Sequence, residues 1–216
     1  MTARFAVSGQ HYLFDVQAFA SVVLSEGGDD YEYALRDRTT RGVIADVAYS
    51  VSDLGVLMKT SYTDADLEAA FDEAGVEFVE LIQSTPRVAL PASHPLVNAE
   101  VLTLEQLEDY PYIYFEQEPG SPEFFAEEAF ADVKRRKAIA ATDRASLSEL
   151  IAALNGYTVT SGILVGISDG KGLATVALDT DVKLQLGYIV RRGTELTNVA
   201  AKFIEKLKAN LERYAY

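Results

Sequence analysis

Short apolar runs alternate with helix-like periodicity along this chain, and that alternation is the strongest constraint on its fold. Residues 53–58 form a nearly continuous apolar run, typical of a strand buried on both faces. The next segment, 63–74, has apolar residues at helical spacing, and Gly75 follows it as a helix-ending residue. Such alternation favours parallel sheets in an α/β fold. The pattern predicts further strands at 4–8, 31–35, 76–82, 112–115, 137–141, 157–160, 173–177 and 184–190, and further helices at 12–24, 39–47, 123–130, 146–154 and 196–211.

Residues 86–115 join several elements in a fixed order. The stretch opens with an apolar run between two prolines, typical of a buried strand. His94 precedes a proline and therefore belongs to a structural turn, because a residue in that position avoids helical geometry. Thr103 and Gln106 have the spacing of a capping box, in which each side chain binds a backbone amide of the other at a helix start. A proline then ends the short helix, and the strand at 112–115 follows.

This order of strand, HPL turn, capped helix and PYI strand resembles the effector-binding domain of LysR-type transcriptional regulators. Residues 53–56 are similar to the family's D-l-g-i strand, and residues 150–163 to its lVaaGlGiallp element, with Tyr157 in place of the usual second glycine. The resemblance covers nearly the whole chain. It implies an α/β fold of the periplasmic-binding-protein type 2 class, with two Rossmann-like lobes and a ligand cleft between them.

The resemblance also implies that the second lobe is inserted into the first. Two extended passages without helical periodicity, near 81–87 and 181–188, are the predicted crossovers. Lobe I then comprises 1–83 and 185–216, and lobe II comprises 84–184. The helix-turn-helix and linker helix that precede this sensor in the family are absent from the sequence, so we interpret the chain as the sensor alone.

Charge and composition argue against several other functions. The chain has 33 acidic and 19 basic residues, a formal net charge of −14, and is therefore a poor binder of nucleic-acid phosphates. It has no cysteine, which excludes disulfides and cysteine-ligated zinc. No signal pattern or membrane-spanning apolar run is present, so we predict a cytoplasmic protein without membrane contact. The acidic run at 123–132 is interpreted as the solvent-facing side of a helix.

Ligand-site candidates are polar residues at the carboxyl ends of predicted strands, where ligands bind in open α/β sheets. The first strand–helix loop offers Ser8, Gln10 and His11, and in the resembling family this loop commonly contacts the effector. Thr39 and Thr40 lie at the next such junction. All five could instead cap helices or face solvent. The remaining candidates are Met58, Lys59, Glu116, Gln117, Thr142, Thr160 and Ser161.

The chemistry of these candidates leaves alternatives open. Met58 suits an apolar ligand body, whereas Lys59 could pair with an anionic effector or be an ordinary surface lysine. The polar candidates of lobe II could reflect ordinary turn polarity. Because the candidate loops contain few basic residues, we expect an effector with one carboxylate or none.

No catalytic or metal-binding pattern is present in the sequence. It has two histidines, and it lacks a nucleophile elbow, a Walker loop, a dinucleotide fingerprint and a paired-histidine motif. We therefore predict no enzyme activity, no metal and no cofactor.

The predicted function is sensing of a small organic effector by a LysR-type regulator. The resemblance implies a homodimer or tetramer in which helix 12–24 and strand 31–35 meet the 123–130 helix of a partner's lobe II. DNA would be reached only through the missing N-terminal domain. The alternative is a solute-binding protein of a transport system, which shares the architecture but would carry a signal peptide or a lipid-anchor cysteine.

Overall fold

The computed structural model describes residues 2–164 and 172–214, which form two groups of strands with helices packed against them. The helices are α1 (Leu13–Glu26), α2 (Thr40–Ala48), α3 (Asp64–Ala74), α4 (Arg144–Leu154) and α5 (Asn198–Tyr214). The strands are β1 (Ala3–Gly9), β2 (Tyr31–Asp37), β3 (Leu54–Thr60), β4 (Val76–Ser84), β5 (Arg87–Pro91), β6 (Val101–Leu102), β7 (Tyr112–Phe115), β8 (Ala138–Ala141), β9 (Thr158–Thr160), β10 (Leu173–Leu178) and β11 (Leu184–Arg191).

The first lobe, lobe I, is a five-stranded sheet in the order β2-β1-β3-β11-β4. β1 is parallel to β2 and β3, whereas β11 is antiparallel to β3 and β4. β3 is buried along its whole length, because side chains alternate between the two sheet faces and helices cover both. Val56 packs with α1 and α5 on one face, and Leu57 packs with α2 and α3 on the other.

The second lobe, lobe II, contains a four-stranded sheet in the order β6-β10-β5-β9 and a parallel pair, β7 and β8. An isolated bridge between Tyr112 and Tyr157 lies between these two groups. Helix α4 packs on the parallel pair through Leu147 and Ile151. The chain passes from lobe I to lobe II between β4 and β5 and returns between β10 and β11.

Local sequence signals account for several element boundaries. Gly75 ends α3 in the left-handed conformation at φ +69°, and Asn155 ends α4 at φ +51°. The predicted capping box is present: the Thr103 amide donates to Gln106 Oε1 at 2.9 Å, and the Gln106 amide donates to Thr103 Oγ1 at 3.4 Å. The helix that follows is a single 3₁₀ turn, Glu105–Leu107.

The start of α4 differs from the prediction. The sequence predicts a helix that begins at 146, but the helix begins two residues earlier and Asp143 is its N-cap. The Asp143 carboxylate accepts a hydrogen bond from the Ser146 amide at 2.9 Å. Asp is a strong N-cap residue, and its position ahead of the helix decides the boundary. The C-terminal helix also starts later than expected, at Asn198, which leaves Leu196 outside it and exposed.

The predicted helix at 123–130 is wrong. This stretch belongs to the interlobe segment, defined as residues 116–137, which connects β7 to β8 and contains only one 3₁₀ turn, Glu123–Phe125. Phe124 and Phe125 are adjacent in the sequence, and both pack against the α2–α3 side of lobe I. Phe130 has φ +63°, a conformation that interrupts a right-handed helix.

Two acidic residues of the interlobe segment do not face solvent as predicted. Glu127 and Glu128 are only 4% and 6% exposed, whereas Glu123 and Asp132 are exposed. The segment crosses to lobe I, where the Phe130 amide donates to the Tyr62 hydroxyl at 2.6 Å. Glu127 and Glu128 are therefore placed at the junction of the two lobes.

Within the described part of the chain, no helix combines the length and the apolar character that a membrane span requires.

Candidate functional site

A cavity of about 80 Å³ lies where the two lobes meet. Pockets that hold drug-sized ligands measure roughly 300–1,000 Å³, so this cavity fits only a compact molecule while the lobes keep this arrangement. Lobe I contributes His11, Tyr12, Leu13 and Met58 to its lining. Lobe II contributes Ala89, Phe115, Glu127, Glu128, Arg144, Leu147, Ser148, Thr158, Val159, Thr160, Ser161, Ile163, Leu164 and Leu173.

His11 and Glu127 form a buried contact between the lobes. The imidazole Nδ1 lies 3.0 Å and 3.1 Å from the two carboxylate oxygens, and the His11 amide donates to Glu127 Oε2 at 3.1 Å. The ring stacks on Phe115 with centroids 4.1 Å apart. Burial by itself lowers the pKa of His11, but the hydrogen bond and charge of Glu127 more than offset it, so the pKa is raised.

Glu128 is the second buried carboxyl group of the cavity. Its Oε1 accepts a hydrogen bond from the Phe115 amide at 2.8 Å, whereas Oε2 has no hydrogen-bond partner among residues 2–164 and 172–214. Burial, together with the charge of Glu127, raises the pKa of Glu128 to about 8. At neutral pH this carboxyl group is therefore protonated, and Oε2 is available as a donor.

Tyr12 and Arg144 add further unpartnered polar atoms to the lining. The Tyr12 hydroxyl is buried without a partner in the described chain, and burial raises its pKa well above the ordinary value. Arg144 reaches from the first turn of α4 to lobe I, where its Nη2 donates to Asp37 Oδ2 at 2.9 Å. Its Nε and Nη1 are buried and have no partner within the described residues.

A comparison with protein families gives a match over most of the chain. The model of the LysR substrate binding domain matches residues 30–212. The chain belongs to the LysR substrate-binding domain family. The family consists of the sensor parts of transcriptional regulators rather than enzymes. A comparison with curated protein sequences finds no match.

Solved structures of LysR-family regulators share this fold. HinK, a LysR family transcriptional regulator from Pseudomonas aeruginosa, is similar with a TM-score of 0.66 at 16% identity, over 97% of this chain and 71% of that chain. The effector-binding domain of QuiR in complex with shikimate gives 0.65 at 12% identity, over 100% of each chain. Oxidised OxyR from Corynebacterium glutamicum gives 0.64 at 16% identity, over 99% of this chain and 65% of that chain. The predicted periplasmic-binding-protein type 2 architecture with two lobes is thus confirmed.

Four residues predicted from the sequence line the cavity of this LysR domain: His11, Met58, Thr160 and Ser161. Met58 supplies an apolar side chain, as expected. Thr160 is half-buried at the end of β9, while Ser161 is buried and its Oγ accepts from the Ile163 amide at 3.4 Å. Their roles as ligand contacts stay predictions.

Three other predicted residues, Ser8, Gln10 and Thr40, have hydrogen-bond partners inside lobe I rather than in the cavity. The Ser8 hydroxyl donates to Asp46 Oδ2 at 2.6 Å. Gln10 donates through Nε2 to the Thr40 hydroxyl at 2.5 Å and accepts through Oε1 from the Met58 amide at 2.8 Å. Gln10 thereby fixes the loop that presents the neighbouring His11 to the cavity.

Lys59 and Thr39 also have partners away from the cavity. The Lys59 ammonium is 6% exposed and pairs with Asp64 at 2.5 Å and with Glu68, so it is neither a surface lysine nor a group facing the cavity. Thr39 caps α2 through the Gly42 amide at 3.2 Å and donates to Glu118 of the interlobe segment.

The last three predicted residues follow the strands of lobe II. Gln117 Nε2 donates to Glu127 Oε1 at 3.4 Å, so it supports the buried pair from outside the cavity. Glu116 and Thr142 are exposed. Sequence reasoning missed the lining residues Tyr12, Glu127, Glu128, Arg144 and Ser148. Arg144 follows the carboxyl end of the strand predicted at 137–141, so the rule that ligands bind at the carboxyl ends of strands could have identified it.

His94 occupies the predicted structural turn. Its Nδ1 accepts a hydrogen bond from the Leu96 amide at 3.1 Å, and its ring packs against Tyr110 with centroids 4.3 Å apart. Burial lowers its pKa. Across residues 2–164 and 172–214, no group of three or more carboxylate or histidine side chains is arranged to hold a metal ion.

Proposed function

We propose that this LysR substrate-binding domain senses a small organic effector bound in the interlobe cavity. The observation that carries the proposal is the mixed lining: His11 and Tyr12 come from one lobe, and Glu128 and Arg144 come from the other. A ligand that contacts both lobes favours one lobe arrangement over others by its differential affinity, which is the physical basis of an effector response.

The lobe boundaries are part of this proposal. We assign 1–83 with 185–216 to lobe I and 84–184 to lobe II, with hinges at 81–87 and 181–188. The passage of the chain between sheets after β4 and after β10 supports this division. Within lobe II, residues 165–171 lie outside the described residues.

The cavity is tested with a thermal-shift screen of small metabolites, because a ligand of the native state raises the melting temperature by mass action. Ser148→Phe places a large ring in the cavity from α4, and we expect it to abolish the shift caused by any true effector. Ser146→Phe is the matched control, since Ser146 is an exposed residue of the same helix. A shift that survives Ser148→Phe unchanged would place the effector elsewhere.

We further propose that the domain assembles as a homodimer or tetramer and controls DNA binding through an N-terminal domain. Leu24 of α1 is 89% exposed and Tyr31 of β2 is 46% exposed, and association would bury these two apolar side chains. The partner helix predicted at 123–130 is absent, so the opposing surface is not that helix. The net charge of −14 supports a separate DNA-binding domain.

Association is tested by sedimentation velocity on the wild type and Leu24→Glu. We expect a concentration-dependent dimer for the wild type and a monomer for the variant. Glu26→Lys, at the end of the same helix, controls for charge changes in general. A wild type that stays monomeric at high micromolar concentration would contradict this part of the proposal.

A further inference from the structure

The unpartnered atoms of the cavity share one property, which is that they are hydrogen-bond donors. The N–H groups on Nε and Nη1 of Arg144 are unpartnered, and an arginine side chain can only donate hydrogen bonds. The Tyr12 hydroxyl can donate, and so can Glu128 Oε2 in its protonated form. A buried donor without a partner destabilises the folded state, because it has lost its hydrogen bonds to water without replacement.

Two acceptor groups close to this set are already bound, and the buried Asp15 carboxyl, whose pKa burial raises to about 8, has an unpartnered Oδ2 but does not line the cavity. Both oxygens of Glu127 contact His11, and the Asp37 carboxylate accepts from Nη2 of Arg144. The His11–Glu127 pair is neutral when His11 is protonated, and the Arg144–Asp37 pair is neutral as well. The remaining donors therefore call for acceptors that the described chain does not supply.

The cavity is also lined by apolar side chains. These are Leu13, Met58, Leu147, Val159 and Leu173. A second charged group on a ligand would lose its hydration against these side chains without gaining a partner, which is strongly unfavourable. The volume of about 80 Å³ corresponds to roughly six non-hydrogen atoms, at about 10–15 Å³ for each water-sized position.

We propose that the effector is a compact monocarboxylate whose carboxylate accepts hydrogen bonds from Arg144, Tyr12 and Glu128 while its apolar body lies against Met58 and Leu147. This inference rests on the proposed effector-binding function and adds the chemical class of the ligand. One carboxylate has about four lone-pair sites, so it can accept from Tyr12, from Glu128 and from one of the two unpartnered N–H edges of Arg144. A carboxamide presents N–H groups to donors, and an amine places a cation beside a guanidinium.

The class is tested with pentanoate, pentanamide, pentylamine and glutarate, which have similar length and differ in charge. Isothermal titration and thermal shift are measured at pH 6.5 on the whole chain. We expect pentanoate to bind at least tenfold more tightly than the other three. Equal binding of pentanoate and pentanamide, or tighter binding of glutarate, would overturn the proposed class.

Two substitutions separate the role of Arg144 from lobe closure. Arg144→Gln removes the guanidinium and is expected to weaken pentanoate binding at least tenfold. Asp37→Asn loses the same interlobe ion pair but keeps the guanidinium, so its affinity is expected to stay within about threefold of wild type. Equal losses in both variants would show that Arg144 does not bind the carboxylate. Circular dichroism confirms that each variant is folded.

Glu128 provides an independent readout through pH. Burial raises its pKa to about 8, so a proton donor present at pH 6.5 becomes a repelling carboxylate at pH 9. We expect the affinity of wild type for pentanoate to fall between these values by at least threefold more than that of Glu128→Gln. Glu127, Tyr12 and Tyr112 lie near Glu128, and His11 and Asp15 also lose protons as the pH rises. All five are kept in the variant, so the difference between the two falls reports on Glu128. An identical fall in both proteins would exclude Glu128 from the site.

The same panel separates failure of the ligand class from failure of the proposed function. A neutral or cationic probe that stabilises the protein, and loses this effect in Ser148→Phe, would overturn the monocarboxylate class while the cavity keeps its sensing role. If no probe and no metabolite of the wider screen acts through the cavity, both proposals fail.

Discussion

The contact between His11 and Glu127 joins residues that are 116 positions apart in the chain. Both side chains are almost fully buried, and the imidazole also stacks on Phe115. The charge on the imidazole strengthens this hydrogen bond only while the histidine is protonated, whereas the bond from the His11 amide to Glu127 does not depend on that proton. The strength of the imidazole–carboxylate bond therefore depends on pH.

His11→Gln is expected to destabilise the protein by about 1.5–3 kcal/mol at pH 6, the usual range for hydrogen bonds to charged groups. The pKa of His11 is raised in the folded state, above the ordinary value of about 6.5. The stabilisation is therefore fully present below pH 6.5 and is lost as the pH rises through the folded-state pKa. Urea unfolding of both proteins between pH 5.5 and 9 measures the difference.

His94→Gln is the control with the opposite sign. Burial lowers the pKa of His94, so its protonation opposes folding, and wild type should gain stability relative to this variant as the pH rises. Parallel pH profiles for the two variants would contradict our assignment of the His11–Glu127 pair.

The interlobe segment is the element that departs furthest from regular structure. Its Phe124 and Phe125 pack on lobe I, and its Glu118 accepts a hydrogen bond from the Thr39 hydroxyl. The segment also places Glu127 and Glu128 at the cavity. Movement of this segment would therefore alter the site directly, because two of its acidic side chains line the cavity.

Tyr62→Phe tests the attachment of this segment. It removes the hydroxyl that accepts from the Phe130 amide, and we expect a loss of about 1 kcal/mol and faster hydrogen exchange confined to 123–133. Tyr49→Phe is the control, because Tyr49 is 81% exposed and the change should stay within about 0.5 kcal/mol. Uniformly faster exchange throughout lobe I would indicate general destabilisation instead.

The molecule as a whole is held in a closed arrangement by contacts between the lobes. The largest apolar cluster includes Met58 of lobe I and Val88 and Val159 of lobe II, and polar contacts flank it at Asp37 and Glu127. The small cavity is a consequence of this closure. A larger ligand would enter only if the lobes separated.

The double variant Asp37→Asn with Glu127→Gln is expected to weaken closure. A compact chain of this length has a radius of gyration of about 17 Å, and small-angle scattering of the double variant should give a larger value than the wild type. Asp72→Asn is the control, because its partner Arg192 lies in the same lobe and the pair is exposed. An unchanged radius in the double variant would show that apolar contacts alone keep the lobes closed.

The sequence by itself determined the alternating α/β elements and several of their ends. The strand that became β3, the glycine at the end of α3 and the reciprocal bonds of Thr103 and Gln106 all depend on residues within a few positions of one another. Periodicity and caps act at this range, so local patterns are sufficient. The loop that carries His11 was found for the same reason, since it directly follows a strand end.

Only the tertiary structure decided which side chains share the cavity. Glu127 and Glu128 come from an irregular segment whose path depends on where its phenylalanines pack, and no local periodicity encodes that path. Ser8 and Lys59 have suitable chemistry at suitable strand positions. In the folded protein, however, Ser8 is hydrogen-bonded to Asp46 and Lys59 is paired with Asp64. The partners of a buried polar group are set by long-range packing, because each must offset the loss of hydration at one particular place in the fold.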